Sequence, residues 1–294
     1  MLHPKFRLFS SPAKINLFFH ILGKRSDGYH EIASLYQAID LFDTLKFRKG
    51  HQDFFSSNIY LDEAANLVLK ALRLFRIRFP FSFGVKIHLE KRIPLQAGLG
   101  GGSSNAATTL WALNELTGRR ASMSALIEMG ALLGSDVPFF FSSGTSYCTG
   151  RGEILEPFHL PYLLSGYLAK PSFGLSTSLV YQETRIEELI ARDPRQGLVQ
   201  FPLFYNDLEP AAFRIEPRLR LFHSHLKQMG FDAVTMTGSG TAFMCQVNIP
   251  KGQILNHFGY KTLPQFQSFL PFRSIQRAEN SWYIPLCTGQ KINS

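Results

Sequence analysis

The segment from Pro94 to Ser104 reads Pro-Leu-Gln-Ala-Gly-Leu-Gly-Gly-Gly-Ser-Ser, and four of the five positions from Gly98 to Gly102 are glycine. Losing four side chains over so short a stretch lets backbone N–H groups converge on one anion. The chain then enters a helical pattern at 105–116, with Leu110, Leu113 and Leu116 at core spacing and Gly118 as its stop. A helix N-terminus adds unpaired N–H donors and partial positive charge. Ser103 and Ser104 can cap that helix or bond a phosphate oxygen or its metal. A surface turn needs only one or two glycines, so this density points to a phosphate-binding loop. It is neither of the two common kinds. No lysine follows the glycines as G-x-x-x-x-G-K-[ST] demands, and G-x-G-x-x-G fails at Ser103. No acidic residue ends a second strand about 20 positions on, because that region is helical. A different nucleotide-binding loop is left.

The 294 residues suffice for about two domains at roughly 150 residues each. A break at 157–161 divides them into 1–158 and 159–294. Hydrophobic residues make up 45%, which excludes disorder. No stretch approaches the ~18 uninterrupted apolar residues of a membrane span. Pro12 and Lys14 interrupt the apolar run after Lys5 and Arg7, so no signal-peptide core forms, and the chain is expected in the cytoplasm. Cys148, Cys245 and Cys287 are scattered without C-x-x-C spacing; they read as small buried residues, not as a disulfide framework or zinc site. No His pair has metal-ligand spacing, and no metal ligand is assigned. The net charge of +9 suits an anionic partner: nucleic acid, an acidic membrane surface or a phosphorylated small molecule.

Residues 13–21 alternate with period two, which puts Ile15, Leu17, Phe19 and Ile21 on one face and Lys14, Asn16 and His20 on the other. Further strands are expected at 40–47, at 83–89 with Val85, Ile87 and Leu89 inward, after Asp136-Val137-Pro138, at 162–168 and at 242–247. Helices are expected at 66–75 with Leu67, Ala71 and Leu74 on one stripe, from a Ser122 or Ser124 cap to Leu133, at 185–190 and at 218–229. Strands and helices mix without strict alternation, which predicts an α+β fold.

Three sites outside the glycines carry chemistry. Lys14 and Asn16 project from one strand face about 6–7 Å apart; taken alone, an exposed strand lysine is the ordinary reading of Lys14. Asp136 stands between the helix stop Gly134 and an apolar run, as a turn residue or as an acceptor for the proton of an attacking hydroxyl. The turn Asp27-Gly28-Tyr29-His30 sets an aromatic ring beside an imidazole, which can stack on and hydrogen-bond a base or serve packing alone.

Taken in order, six segments resemble the GHMP small-molecule kinases. They are Pro12-Ala-Lys14-Ile-Asn16-Leu17, Asp27-Gly-Tyr-His30, Pro94 through Ala107, Gly134-Ser-Asp136-Val-Pro138-Phe139, Asn206-Asp207-Leu208-Glu209 and Gly238-Ser239-Gly240. The resemblance implies a ribosomal-protein-S5-like N-terminal domain that binds ATP, a ferredoxin-like C-terminal domain, and an active site in the cleft between them. It places the ATP phosphates on Pro94, Leu95, Gln96, Ala97, Gly98, Leu99, Gly100, Gly101, Gly102, Ser103 and Ser104, with Lys91 beside them. Asp136 would be the base for a substrate hydroxyl, Lys14 would hold it ionised and contact the γ-phosphate, and Asn16 would bind near the hydroxyl. The Asp27 to His30 turn and Asn206 to Glu209 resemble the members whose small-molecule substrate carries a cytidine diphosphate. There Tyr29, His30, Thr177 and Tyr181 would hold the cytosine end, and Gly238, Ser239 and Gly240 would complete the substrate site. Mg²⁺ would arrive with ATP, since no pair of carboxylates marks a metal cage. Neither nucleic acid nor membrane is implied, and a homodimer is allowed. Two other readings compete. A family member acting on homoserine or mevalonate needs no base-reading turn. A basic RNA-binding protein leaves the glycine loop, Lys14 and Asp136 without a joint purpose.

Overall fold

The computed structural model describes residues 6–199, 204–246 and 266–284. Strands β1 (Arg7–Lys24) and β2 (His30–Gly50) form a long antiparallel pair. Then come β3 (Phe54–Ser57), α1 (Leu67–Arg78), β4 (Gly84–Glu90), α2 (Gly101–Leu116), α3 (Met123–Leu133), a 3₁₀ turn (Pro138–Phe141), β5 (Thr145–Thr149) and β6 (Ile154–Pro157). The second half adds β7 (Ser165–Pro171), α4 (Thr177–Gln182), a 3₁₀ turn (Ile186–Glu188), α5 (Gln196–Val199), β8 (Tyr205–Asn206), α6 (Glu209–Ile215), α7 (Pro217–Gln228), β9 (Ala233–Met236), β10 (Phe243–Gln246) and β11 (Phe266–Arg273). One sheet runs β3-β4-β2-β1-β8, with β5 and β6 branching from β2; the other runs β11-β7-β10-β9. Mixed sheets with helices interspersed give the α+β class that the element pattern predicts.

The core explains the order. Helix α2 is buried along almost all its length and packs with α1 and α3 over the first sheet. Val85, Ile87 and Leu89 point inward from β4 as their alternation predicts. The face assignment of β1 needs correction. A register shift between Asn16 and Phe18 splits the apolar set, so Ala13, Ile15 and Leu17 pack in one cluster while Phe19 and Ile21 pack in another. On α1 the buried stripe is Val68, Ala71, Leu72 and Phe75, with Leu67 and Leu74 only half-buried, because Asn66 caps the helix from its side chain and sets the phase.

Three expected elements differ. The apolar run after Asp136 is a 3₁₀ turn, not a strand: Pro138 has no N–H for a ladder and suits a first helical position, and all four residues are buried. The strand expected at 162–168 begins at Ser165, which pairs with Arg273 at the end of β11, and leaves Tyr162 and Leu163 exposed. Within 185–190 only Ile186–Glu188 is helical, one 3₁₀ turn with no fully buried residue; Ile186 and Leu189 reach the core only at its edge, too little to support a longer helix. Cys148 and Cys245 are buried as expected; Cys287 and Val247 lie outside the described residues.

Candidate active site

A cleft of about 970 Å³ opens along the glycine segment. Its wall includes Lys91, all positions from Pro94 to Ser103, Lys14, Asp136, Tyr29, His30, Thr177, Tyr181, Gly238 and Ser239. The expected residues thus meet in one place, with three exceptions. Ser104 is fully buried and shares a 2.7 Å hydrogen bond with Ser11. Asn16 is 1% exposed and stands behind Lys14. Gly240 is spent on packing against the glycine loop. These three support the wall and do not face the cleft.

The loop owes its shape to specific glycines. Gly98 and Gly100 sit at φ +77° and +66°, and Gly100 begins α2. A Cβ on Gly98 would stand 2.0 Å from the Thr237 carbonyl oxygen, and one on Gly240 would stand 2.0 Å from the Gly98 nitrogen. The two glycine segments therefore interlock backbone to backbone. Asn206 secures the second segment: its Nδ2 donates to the carbonyls of Met236 (2.7 Å) and Gly238 (2.8 Å). Glu209 accepts from Met236 N at 2.7 Å. The Asn206 to Glu209 motif thus holds the loop and places no side chain on the cleft wall.

Lys14 is 3% exposed, so the ordinary reading of an exposed strand lysine fails. Its Nζ donates to Asn16 Oδ1 at 2.7 Å and lies 3.6 Å from Asp136 Oδ2. Asn16 is fixed in turn, donating from Nδ2 to Ser34 Oγ at 2.8 Å and from its backbone N to Thr237 Oγ1 at 3.0 Å. A Cβ on Gly100 would meet Lys14 Cγ at 2.9 Å, so the lysine stem lies along the loop. The pair therefore sets a cation and a carboxylate side by side where the helix N-terminus meets the cleft. A carboxylate so placed can accept a proton, and the ammonium can neutralise a phosphoryl group.

At the other end, His30 and Tyr181 face each other with ring centroids 5.3 Å apart, and Phe19 meets Tyr181 edge-on. Burial, then Lys24, lowers the His30 pKa and favours the neutral imidazole. Tyr29 is 56% exposed and lies under the Arg151 guanidinium, 4.8 Å from ring centroid to carbon. Thr177 accepts from Ser239 Oγ at 2.9 Å, which joins α4 to the second glycine segment.

The sequence reading missed Asp43, which lies behind the loop, and several residues of the cleft wall. Asp43 is fully buried and accepts from Arg92 N (2.7 Å), Ile93 N (2.8 Å), Asn105 Nδ2 (2.9 Å) and Lys91 Nζ. Its signal was a carboxylate set in the apolar run Leu41-Phe42-Asp43. Tyr36, Lys24 and Arg151 line the cleft, and nothing in their local sequence marks them.

Comparison with known proteins agrees with this geometry. Residues 66–144 match the family model "GHMP kinases N terminal domain". The chain is 44% identical over 282 residues to 4-diphosphocytidyl-2-C-methyl-D-erythritol kinase of Protochlamydia amoebophila, covering 95% of this chain and 93% of that one. It is 40% identical to the chloroplastic enzyme of the same name from Mentha piperita, covering 95% of this chain and 73% of that one. A solved 4-(cytidine 5'-diphospho)-2C-methyl-D-erythritol kinase superposes with a TM-score of 0.79 at 31% identity, covering 92% of this chain and 99% of that one. A mevalonate kinase superposes at 0.66 with 14% identity, covering 92% of this chain and all of that one, which shows the shared fold alone. With such identity along nearly its whole length, the chain belongs to the 4-diphosphocytidyl-2-C-methyl-D-erythritol kinases of the GHMP kinase family.

Proposed function

We propose that this protein transfers the γ-phosphoryl group of ATP to the 2-hydroxyl of 4-diphosphocytidyl-2-C-methyl-D-erythritol. The observation that carries the reading is the Lys14–Asp136 pair, 3.6 Å apart, in one cleft with the glycine loop and the Tyr29, His30 and Tyr181 group. Backbone N–H groups of the loop and the start of α2 bind the triphosphate. Asp136 accepts the hydroxyl proton, the freed oxygen bonds to the γ-phosphorus, and the bond from that phosphorus to the β,γ-bridging oxygen breaks, releasing ADP. Lys14 offsets charge on the transferred group. The cytosine stacks on the aromatic rings, and His30 reads its edge.

Mg²⁺ belongs to this proposal as a partner of the nucleotide. It would neutralise phosphate charge, and Ser103 is the hydroxyl on the cleft wall beside the glycines. The boundary near residue 158 and a cytoplasmic site of action are proposed with it. Among the described residues no helix is long and apolar enough to cross a membrane. The test is ATP consumption by the purified protein with the cytidyl substrate, homoserine and mevalonate side by side. Turnover with the first alone is expected. Equal or faster turnover with either of the others would overturn the substrate assignment.

A further inference from the structure

Tyr36 has one polar atom, and the structure aims it at Asp136. The side chain is 2% exposed, and its Oη donates to Asp136 Oδ1 at 3.1 Å. The ring is clamped on two sides. Phe139 packs edge-on at 5.4 Å, and the Lys14 ammonium lies 4.5 Å above the ring centroid. Its backbone is fixed between Asn16 of β1 and Ser146 of β5. Room for the hydroxyl is kept by Gly152, at φ +113°, where a Cβ would stand 2.8 Å from Oη. A buried phenol seeks a partner, and here the partner is a carboxylate in the connection between α3 and the 3₁₀ turn.

Asp136 is therefore held at both oxygens, Oδ1 by a neutral donor and Oδ2 by a cation. Two titratable groups contact it, Lys14 from β1 and Tyr36 from β2, and two more lie within range of its charge, Cys148 from β5 and Tyr181 from α4. Burial raises the pKa of both tyrosines and of the cysteine, which keeps all three neutral. Tyr36 is thus a permanent donor.

We propose that Tyr36 is a positioning residue for phosphoryl transfer: it holds Asp136 through Oδ1 and leaves Oδ2, beside Lys14, for the incoming hydroxyl. The proposal rests on the reading of Asp136 as the proton acceptor.

The test is Tyr36→Phe, which removes one oxygen and keeps the ring. In steady-state kinetics kcat is expected to fall roughly tenfold, the scale of a hydrogen bond to a charged group. The KM for ATP holds. The KM for the cytidyl substrate holds as well, so the loss falls on kcat alone, which a merely structural disturbance of the cleft would not do. In an Asp136→Asn background Tyr36→Phe adds no further loss, because its target is already changed. An unchanged kcat, KM values that rise as kcat falls, or losses that multiply in the double variant would overturn the proposal. The controls separate the two readings. If Asp136→Asn keeps the parent rate, the proton-acceptor role falls and Tyr36 falls with it. If Asp136→Asn lowers kcat ~10²-fold or more while Tyr36→Phe leaves kcat unchanged, Tyr36 falls alone.

Discussion

Asp43 shows how one buried residue can tie the glycine loop to the sheet. Its carboxylate gathers two backbone N–H groups at Arg92 and Ile93, the Asn105 amide inside α2 and the Lys91 ammonium. The approach to the loop and the helix after it are thereby tied to β2. A buried charge is tolerable because it is paired and fully hydrogen-bonded. Lys91 gives the complementary case: burial lowers its pKa, and Asp43 opposes that. The substrate end has a different logic, since His30 and Tyr181 rest on each other and would both serve a base. A base stacked on an aromatic ring is worth ~1–3 kcal/mol, and each 1.4 kcal/mol is a factor of ten. His30→Ala and Tyr181→Ala should each raise the KM for the cytidyl substrate about tenfold, while the KM for ATP hardly moves. Kinetics against both substrates checks this. Parallel rises in the two KM values would show damage to the whole cleft instead of a base site.

At the scale of elements, the short motifs turn out to bind each other as much as any ligand. The loop at Gly98 and the segment at Gly240 occupy each other's missing side chains. Glu209, in the first turn of α6, anchors that second segment through Met236. Burial raises its pKa to about 7, against the lowering effect of the Met236 N–H. A folded-state pKa above the unfolded value means the folded chain holds the proton more tightly. That contribution is complete below the usual value of 4.5 and is lost as pH rises through about 7. Glu209→Gln keeps an acceptor for Met236 and removes the titration. Its stability relative to the parent should improve by about 3 kcal/mol across that window. Urea unfolding of both proteins on either side of the window measures it. A difference independent of pH would mean that Glu209 keeps an ordinary pKa.

On the scale of the whole molecule, the chain does not simply pass from one half to the other. Strand β8 pairs in parallel with β1, and after β11 the chain returns to the first core. Trp282 stacks on Trp111 at 5.2 Å, meets Phe141 edge-on and donates from Nε1 to the Ser10 carbonyl at 2.7 Å. Arg277 donates to the Ser142 carbonyl at 3.0 Å, at the end of the 3₁₀ turn that follows Asp136. The return therefore closes the layer that carries α2 and braces the segment next to Asp136. Trp282→Ala should cost about 3–5 kcal/mol of unfolding free energy, the usual loss for a buried large aromatic. Both KM values should stay unchanged in the folded variant. Chemical denaturation gives the free energy, and a loss under about 1 kcal/mol, far below the buried-aromatic range, would reduce the return to a surface appendage.

Local chemistry was enough to read the glycine loop, the body of α2 though not its start at Gly101, a serine cap on α3 that the structure assigns to Ser122, the inward face of β4 and the order of motifs that marks the family. Each depends on neighbours a few residues away: glycines that free a backbone, a hydroxyl that caps a helix, a side-chain period that repeats. Legible too was the list of residues around the cleft, though not what each does there. Asn16, Ser104 and Gly240 stand off the cleft wall, tied to partners, Ser34, Ser11 and Gly98, that lie far away in sequence or across the fold. The split face of β1 came from a bulge that only pairing with β2 creates. Tyr36 and Asp136 are 100 positions apart, and Trp111 and Trp282 farther still. No local pattern encodes such pairs. They exist because burying the apolar faces of two sheets and the helices on them brings distant polar groups into a dry interior, where each must find a partner.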